Sequence, residues 1–527
     1  MTVVAIIVIF CQKNTTFAHI MKKINHILVL GCLSLLLLPV TLSATNKLPD
    51  TTYLSAKKLQ YLVETKDKQT SALLTNMSDL YDKAPGVFTF RGTSRRDMAQ
   101  CGRLDSVPTR IRRVWTFNTA VDNTETPYGT WGGGTGWTGQ PLYVEWPDSL
   151  VEKQRKTSGA LTANFSSREI IVGSLCGRVY FIDYNSGKAS RQSHKSGNPI
   201  KGTPSLDPRL NGNLYVGQGI PTTRPFGAEV FNLFSHKRIS FFDVDAAAWR
   251  GWGAYDPSAV VVDNFVLRAS ENGTIYKLIA SESRVRTHSL LRYCHRGYKT
   301  AGIESSPAVW KNYLFVADNR GNILAVNIET MKPVWHYDNL DDSDATIVVA
   351  EEKNGVFLYS GTAVDKQGES GYCRFVKLNA ENGTLVWERK IACQKINYLG
   401  KMREGGMFAS PLLGHGNCEG LIFTNICGMG SAKGTFVAID RASGEIKYQT
   451  ALKHYSWSSP VAFYTPKGEM FIFTGDVIGT AYLIEAATGK IIYRMQGGNN
   501  FEASPIVVDN CVVIGSRGRE IHKFEIY

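Results

Sequence analysis

The chain has 527 residues, 43% of them hydrophobic and 20% charged, which is enough apolar material for a large core and excludes a disordered tail or a coiled coil. Its 49 Gly, 23 Tyr and 24 Phe favour many short strands joined by tight turns, so the fold class expected is all-β. The formal charge of +13 is scattered, its densest local run being Arg110, Arg112 and Arg113, and a scattered charge argues against a nucleic-acid partner.

At the N-terminus, Met21-Lys22-Lys23 begins a basic start, Ile27 to Leu38 is an apolar run ending at Pro39, and Thr41-Leu42-Ser43 offers small residues for cleavage. Residues 1–44 therefore read as a signal peptide with Met21 as the better initiator, and the mature chain begins near Ala44. The apolar run continues past Cys32, which disfavours a lipid anchor there. Beyond Pro39 no stretch approaches the roughly 20 apolar residues of a membrane span. Residues 45–110 read as a lead segment, polar and partly helical, with apolar positions at Leu59, Leu62, Leu73, Leu74 and Leu80. The mature chain keeps eight cysteines with no zinc or haem spacing; Cys373 with Cys393, or Cys418 with Cys427, could pair across hairpins, and buried free thiols are the equal alternative.

From residue 111 onward the chain repeats itself. Units open with a small residue and Pro before an apolar run, at Thr203-Pro204, Ser306-Pro307, Ser410-Pro411, Ser459-Pro460 and Ser504-Pro505, with variants at Gln140-Pro141, Asp256-Pro257 and Asp344-Ala345. These eight starts lie about 40 to 65 residues apart, the size of a four-stranded blade with variable loops. Each is followed by a second apolar run, a Gly turn, a third run and a second turn of fixed chemistry, as in Asp183-Tyr-Asn-Ser186-Gly187 and Asp440-Arg-Ala-Ser443-Gly444. There Asp or Asn closes the turn through its side chain and Gly supplies the positive φ. An aromatic follows on the fourth strand, at Trp335, Trp387, Tyr448 and Tyr493, while the copy from Asp183 has Arg191.

Four antiparallel strands repeated eight times make an eight-bladed β-propeller over residues 111–527, which removes long exposed edges by radial repetition. The last unit, from Ser504, supplies only three strands, and the run Arg112 to Phe117 is unmatched. That N-terminal strand is expected to complete the last blade and close the ring.

The pattern Ala325-x-Asn327-x-x-Thr330-x-Lys332-x-x-Trp335 resembles the tryptophan-docking repeat of the PQQ-like (quinoprotein alcohol dehydrogenase-like) propellers, a family that includes quinoprotein dehydrogenases and the BamB-like assembly factors. The segment Gly86 to Asp97, with Phe90-Arg91-Gly92, resembles the one that precedes such propellers in exported relatives. The resemblance implies that the docked aromatics are structural, and it leaves PQQ with calcium open as cofactors. The adjacent Cys pair of many quinoenzymes is absent, so no catalytic residue, metal ligand or cofactor is assigned.

Residues just before each innermost strand should ring one mouth of the central channel. The candidates for ligand binding there are Trp137, Gln140, Lys201, Trp252 and Asp256, continuing with Glu304, Asp344, Phe408, Trp457 and Glu502. The function expected is a non-catalytic binding or scaffold module at the cell envelope or periplasm, a monomer holding an envelope protein or glycan. The alternatives are a PQQ-dependent dehydrogenase and a carbohydrate-binding propeller. A scaffold predicts an empty or water-filled axis and an apolar, rimmed patch on one blade edge or loop face. A quinoenzyme predicts converging calcium ligands beneath a planar slot, and a glycan binder predicts coplanar exposed Trp rings.

Overall fold

A computed structural model describes residues 53–54, 59–67 and 80–527, apart from 99–100, 138, 159–160, 296–297, 399 and 431. The expected signal peptide, with Met21, Cys32 and Ala44, lies outside the described residues, as do Leu73 and Leu74. No helix among the described residues is long and apolar enough to cross a membrane.

The described chain forms nine small sheets: eight blades, antiparallel except where Gly102–Arg103 joins Val461–Tyr464 in parallel, and one two-stranded hairpin, Ile396–Tyr398 with Lys401–Arg403. Blade 1 opens with the innermost strand Leu142–Glu145, blade 2 with Ser205–Leu206, blade 3 with Val260–Val262 and blade 4 with Ala308–Trp310. Blades 5 to 8 open with Val348–Glu352, Leu412–Leu413, Val461–Tyr464 and Ile506–Val508. Every opening follows one of the eight repeat starts, so the eight-bladed all-β propeller read from the sequence is the fold.

Ring closure follows the expected route. Ile111–Asn118 pairs antiparallel with Glu520–Ile526, from Ile111 opposite Ile526 to Asn118 opposite Glu520, and becomes the outer strand of blade 8. Its Trp115 donates its indole N–H to the Tyr184 carbonyl of blade 1 at 3.0 Å. The same contact recurs between later neighbours: Trp335 of blade 4 donates to the Ala380 carbonyl of blade 5, and Trp387 of blade 5 to the Arg441 carbonyl of blade 6. Each ring lies over the turn glycine of the next blade. A Cβ on Gly187 would stand 2.6 Å from Trp115, one on Gly383 2.5 Å from Trp335, and one on Gly444 2.6 Å from Trp387. Where blade 1 has Arg191 at the aromatic position, its guanidinium is buried against Glu169, with bonds of 2.9 and 2.8 Å, and stacks over Phe181.

Gly383 has φ +72, so alanine there meets both left-handed backbone strain and the Trp335 ring. Gly383→Ala is expected to lower stability by about 1–3 kcal/mol. Urea denaturation checks this; an unchanged midpoint would mean that the ring and turn are not in firm contact.

The lead segment is not a free tail. Leu59–Thr65 is a strand added outside blade 3, pairing with the long strand Val285–His295, and Tyr53–Leu54 pairs with the outer strand of blade 4. Helix in the described part of the lead is confined to the 3-10 turn Leu80–Lys83.

The axis is neither empty nor water-filled, because residues 88–97 occupy it. The Phe88 carbonyl accepts from the Leu206 amide at 2.8 Å, the Ser94 carbonyl from Val309 at 2.7 Å and the Arg95 carbonyl from Val349 at 3.0 Å. Two fully buried arginines reach the remaining blades. Arg91 donates to the carbonyls of Pro460 and Pro411 at 2.8 and 2.9 Å. Arg96 donates to the Pro307 and Ser258 carbonyls, and also to Thr89 Oγ1 and the Phe90 carbonyl within the plug itself. The prolines that mark the repeat thus present the carbonyls that hold the plug. The described cysteines are all free thiols, Cys373 and Cys393 included.

Candidate functional site

The plug bonds to backbone at or beyond the repeat prolines, so the residues preceding those prolines stand above it and form a blind cup. Two groups of carboxylates gather there. In the first, Asp256, Glu271 and Glu304 have oxygens within 4.8 Å of one another. Lys201 lies among them, paired with Asp256 and with its Nζ 3.7 Å from Glu271 and 3.8 Å from Glu304. Burial opposes the Lys201 charge, yet the three surrounding acids hold the ammonium protonated well above its usual range. Burial likewise pushes Glu271 well up and raises Glu304, with Lys201 opposing both. Trp252 belongs to this group, donating from Nε1 to Glu271 at 2.9 Å and packing edge-on to Phe226.

The second group, Asp342, Asp344 and Glu404, has the same spacing without an ammonium at its centre. Burial and the neighbouring acids drive Asp342 and Asp344 well above the usual carboxylate range. Burial, reinforced by Asp365 and Glu304 and opposed by Lys395, raises Glu404 to about 7. Asp344 is 7% exposed and shares a side-chain hydrogen bond with Asp342, one of the two carboxyls donating its proton to the other.

Beside this group a cavity of about 270 Å³ is lined by Trp137, Phe408 and Trp457 together with Glu304, Asp344 and Glu404. The rings are crossed: Trp137 meets Phe408 at 88° and Trp457 at 69°, and Phe408 meets Trp457 at 41°, with centroids 5.1 to 6.3 Å apart. Of the residues proposed from sequence, seven therefore converge on two adjoining clusters and Trp252 borders the first. The other two do different work. Gln140 is buried and binds the plug, accepting from the Arg91 amide and donating to the Thr89 carbonyl. Glu502 pairs with Arg517 at 3.1 Å and accepts from Asn500.

Glu271, Asp342 and Glu404 were not among the candidates. Glu271 sits in the turn after the second strand of blade 3, and an antiparallel second strand returns to the mouth from which the first departed, so this turn also belongs to the rim. Glu404 follows the inserted hairpin of Ile396–Tyr398 and Lys401–Arg403, which interrupts the repeat before blade 6.

The oxygen-only donors of the second group suit a hard cation such as calcium. The three rings, crossed at these angles, form no slot for a planar tricyclic cofactor, and they are not coplanar as a sugar face requires. The acid cluster yields a sharper expectation. An acid raised on folding retains protons the unfolded chain has lost, so its contribution to stability falls as pH rises from about 4.5 through its folded value near 7. Glu404→Gln should therefore raise the melting temperature at pH 8 by several degrees in chelator-treated buffer and leave it near wild type at pH 5. Equal effects at both pH values would show that Glu404 carries no such penalty.

Residues 235–455 match the family model described as outer membrane protein assembly factor BamB. Among solved structures, a europium-containing methanol dehydrogenase aligns with TM-score 0.58 at 13% identity, over 84% of this chain and 99% of that one. The quinohemoprotein alcohol dehydrogenase from Comamonas testosteroni gives 0.57 at 13% identity, over 84% and 80%. BamB from Moraxella catarrhalis gives 0.46 at 15% identity, over 69% and 95%. Comparison with curated proteins gives no match. At such identities the likeness to solved structures speaks for fold alone. The molecule is an eight-bladed β-propeller, and its residues 235–455 match a repeat model of the PQQ-like type.

Proposed function

We propose that the chain is a non-catalytic binding module of the cell envelope that holds a protein partner at the mouth of its propeller. The axis is filled, not empty as expected of a scaffold, and this is the observation that carries the reading: residues 88–97, held by buried Arg91 and Arg96, close the channel and leave the residues around its mouth to meet a ligand. The crossed rings of Trp137, Phe408 and Trp457 support a cup for a side chain in preference to a flat cofactor or sugar. The envelope location rests on the N-terminal signal sequence.

Two measurements test the reading. Calorimetric titration of residues 44–527 with PQQ and calcium should give no saturable heat, and saturable binding accompanied by dye-linked alcohol oxidation would overturn it. A photo-crosslinking residue at Met402, which lines the cup and is 54% exposed, should give a protein adduct of discrete mass in cells. The same residue at exposed Val114 should not, and equal labelling from both sites would also overturn the reading.

A further inference from the structure

The two carboxylate groups of the cup pose one electrostatic problem, and the chain solves it once. Three buried or half-buried acids within 4.8 Å of one another repel unless they keep protons or a cation lies between them. In the first group that cation is the primary ammonium of Lys201. Among the described residues the second group shows no ion pair of this kind: Lys395 and Arg403 both line the cavity, but Lys395 Nζ is 3.6 Å from Asp365, and Lys366 Nζ donates to the Asn319 carbonyl at 3.0 Å.

Two further observations concern what the second group would accept. Asp344 is buried and joined to Asp342 by a side-chain hydrogen bond, so a second cation would take over the place of their shared proton, and Trp457, 9% exposed and lining the same cavity, has an indole N–H without an acceptor among the described residues. The walls beside these acids are aromatic. Ring faces attract an organic cation and also cover its methylene stem, whereas a hydrated metal ion gains little from the stem-covering wall.

We propose that the cup binds a primary alkylammonium group, specifically a lysine side chain of the partner polypeptide. The ammonium takes the place among Asp342, Asp344 and Glu404 that Lys201 takes in the neighbouring group. The stem lies against Trp137, Phe408 and Trp457, and an acceptor on the ligand meets the Trp457 N–H. This assignment rests on the protein-binding reading above and narrows it to one side chain.

The test uses the mature chain and Nα-acetyl-lysine amide, followed by calorimetry and by Trp fluorescence. Saturable one-to-one binding is expected, with at least about tenfold loss when the ε-amine is acetylated, because acetylation removes the charge and keeps the stem. That comparison uses wild-type protein and needs no variant to fold. Asp344→Asn should weaken binding severalfold and, like Glu404→Gln, raise the melting temperature at pH 8, and Trp457→Phe should weaken binding severalfold in protein that still melts in one transition. Equal binding of the acetylated probe, or no binding of either, overturns the proposal. Stoichiometric calcium binding that displaces the lysine probe does so too, by making the cluster a divalent-cation site. A failed lysine titration alongside a discrete Met402 adduct would remove this inference and leave the protein-binding reading standing. PQQ binding would remove both.

Discussion

Arg96→Ala is expected to lower the stability of the propeller by about 3–5 kcal/mol, measured as a shift in the urea midpoint. Charge-assisted hydrogen bonds contribute about 1.5–3 kcal/mol each, and acceptors left unpaired in the interior add their own penalty. Arg96 donates to four oxygens from a fully buried position, joining the plug to blade 3 through Ser258 and to blade 4 through Pro307. Removing the guanidinium strands those carbonyls and leaves a side-chain-sized void at the axis. Arg91→Ala should act similarly through blades 6 and 7, with Arg91→Lys intermediate because one ammonium cannot match the two-pronged contact with Pro411 and Pro460. Both alanine variants should also become sensitive to proteolysis between residues 86 and 103. An unchanged midpoint in Arg96→Ala would mean that the plug does not hold the ring together.

Ending the chain at Arg517 should abolish cooperative folding. The cut removes Glu520–Ile526, which lies between Cys511–Gly515 on one side and Ile111–Asn118 on the other. Blade 8 would lose the strand that pairs with the N-terminal strand, and Trp115 would no longer be held firmly across Tyr184 and Gly187 of blade 1. The exposed strand edges favour aggregation. Size-exclusion chromatography and thermal melting read the outcome, and a monodisperse chain with one sharp transition would show that closure is dispensable.

The propeller was legible because its signals are local and repeated. A proline start, an Asx-Ser-Gly turn and a fourth-strand aromatic occur within each blade and recur, so a lapse such as Arg191 does not hide the pattern. The closing strand was legible for a related reason, since a three-stranded last unit needs one more strand. The plug was not. Arg91, Arg95 and Arg96 stand together in a polar run that looks solvent-exposed, and only the carbonyls of Pro307, Pro411 and Pro460, far along the chain, make two of them interior residues. Within the lead, Leu59 and Leu62 stand at a helical spacing, yet pairing with the long strand Val285–His295 makes the segment a strand that buries Leu59 and exposes Leu62. The candidate site was half visible: Lys201, Asp256, Glu304 and Asp344 precede innermost strands, whereas Glu271 and Glu404 enter from a turn and an insertion.

The plug and the closing strand also constrain the order of events as the chain acquires its shape. Residues 88–97 cannot make all their bonds until blades 2 through 7 exist, and Arg112 meets Glu525 across 413 positions of sequence. Contacts so distant along the chain must wait while much loop entropy is lost, which slows folding. The plug and the closing strand, residues 88–97 and 111–118, are made early and satisfied late, so they must remain incompletely paired until the last blades have formed.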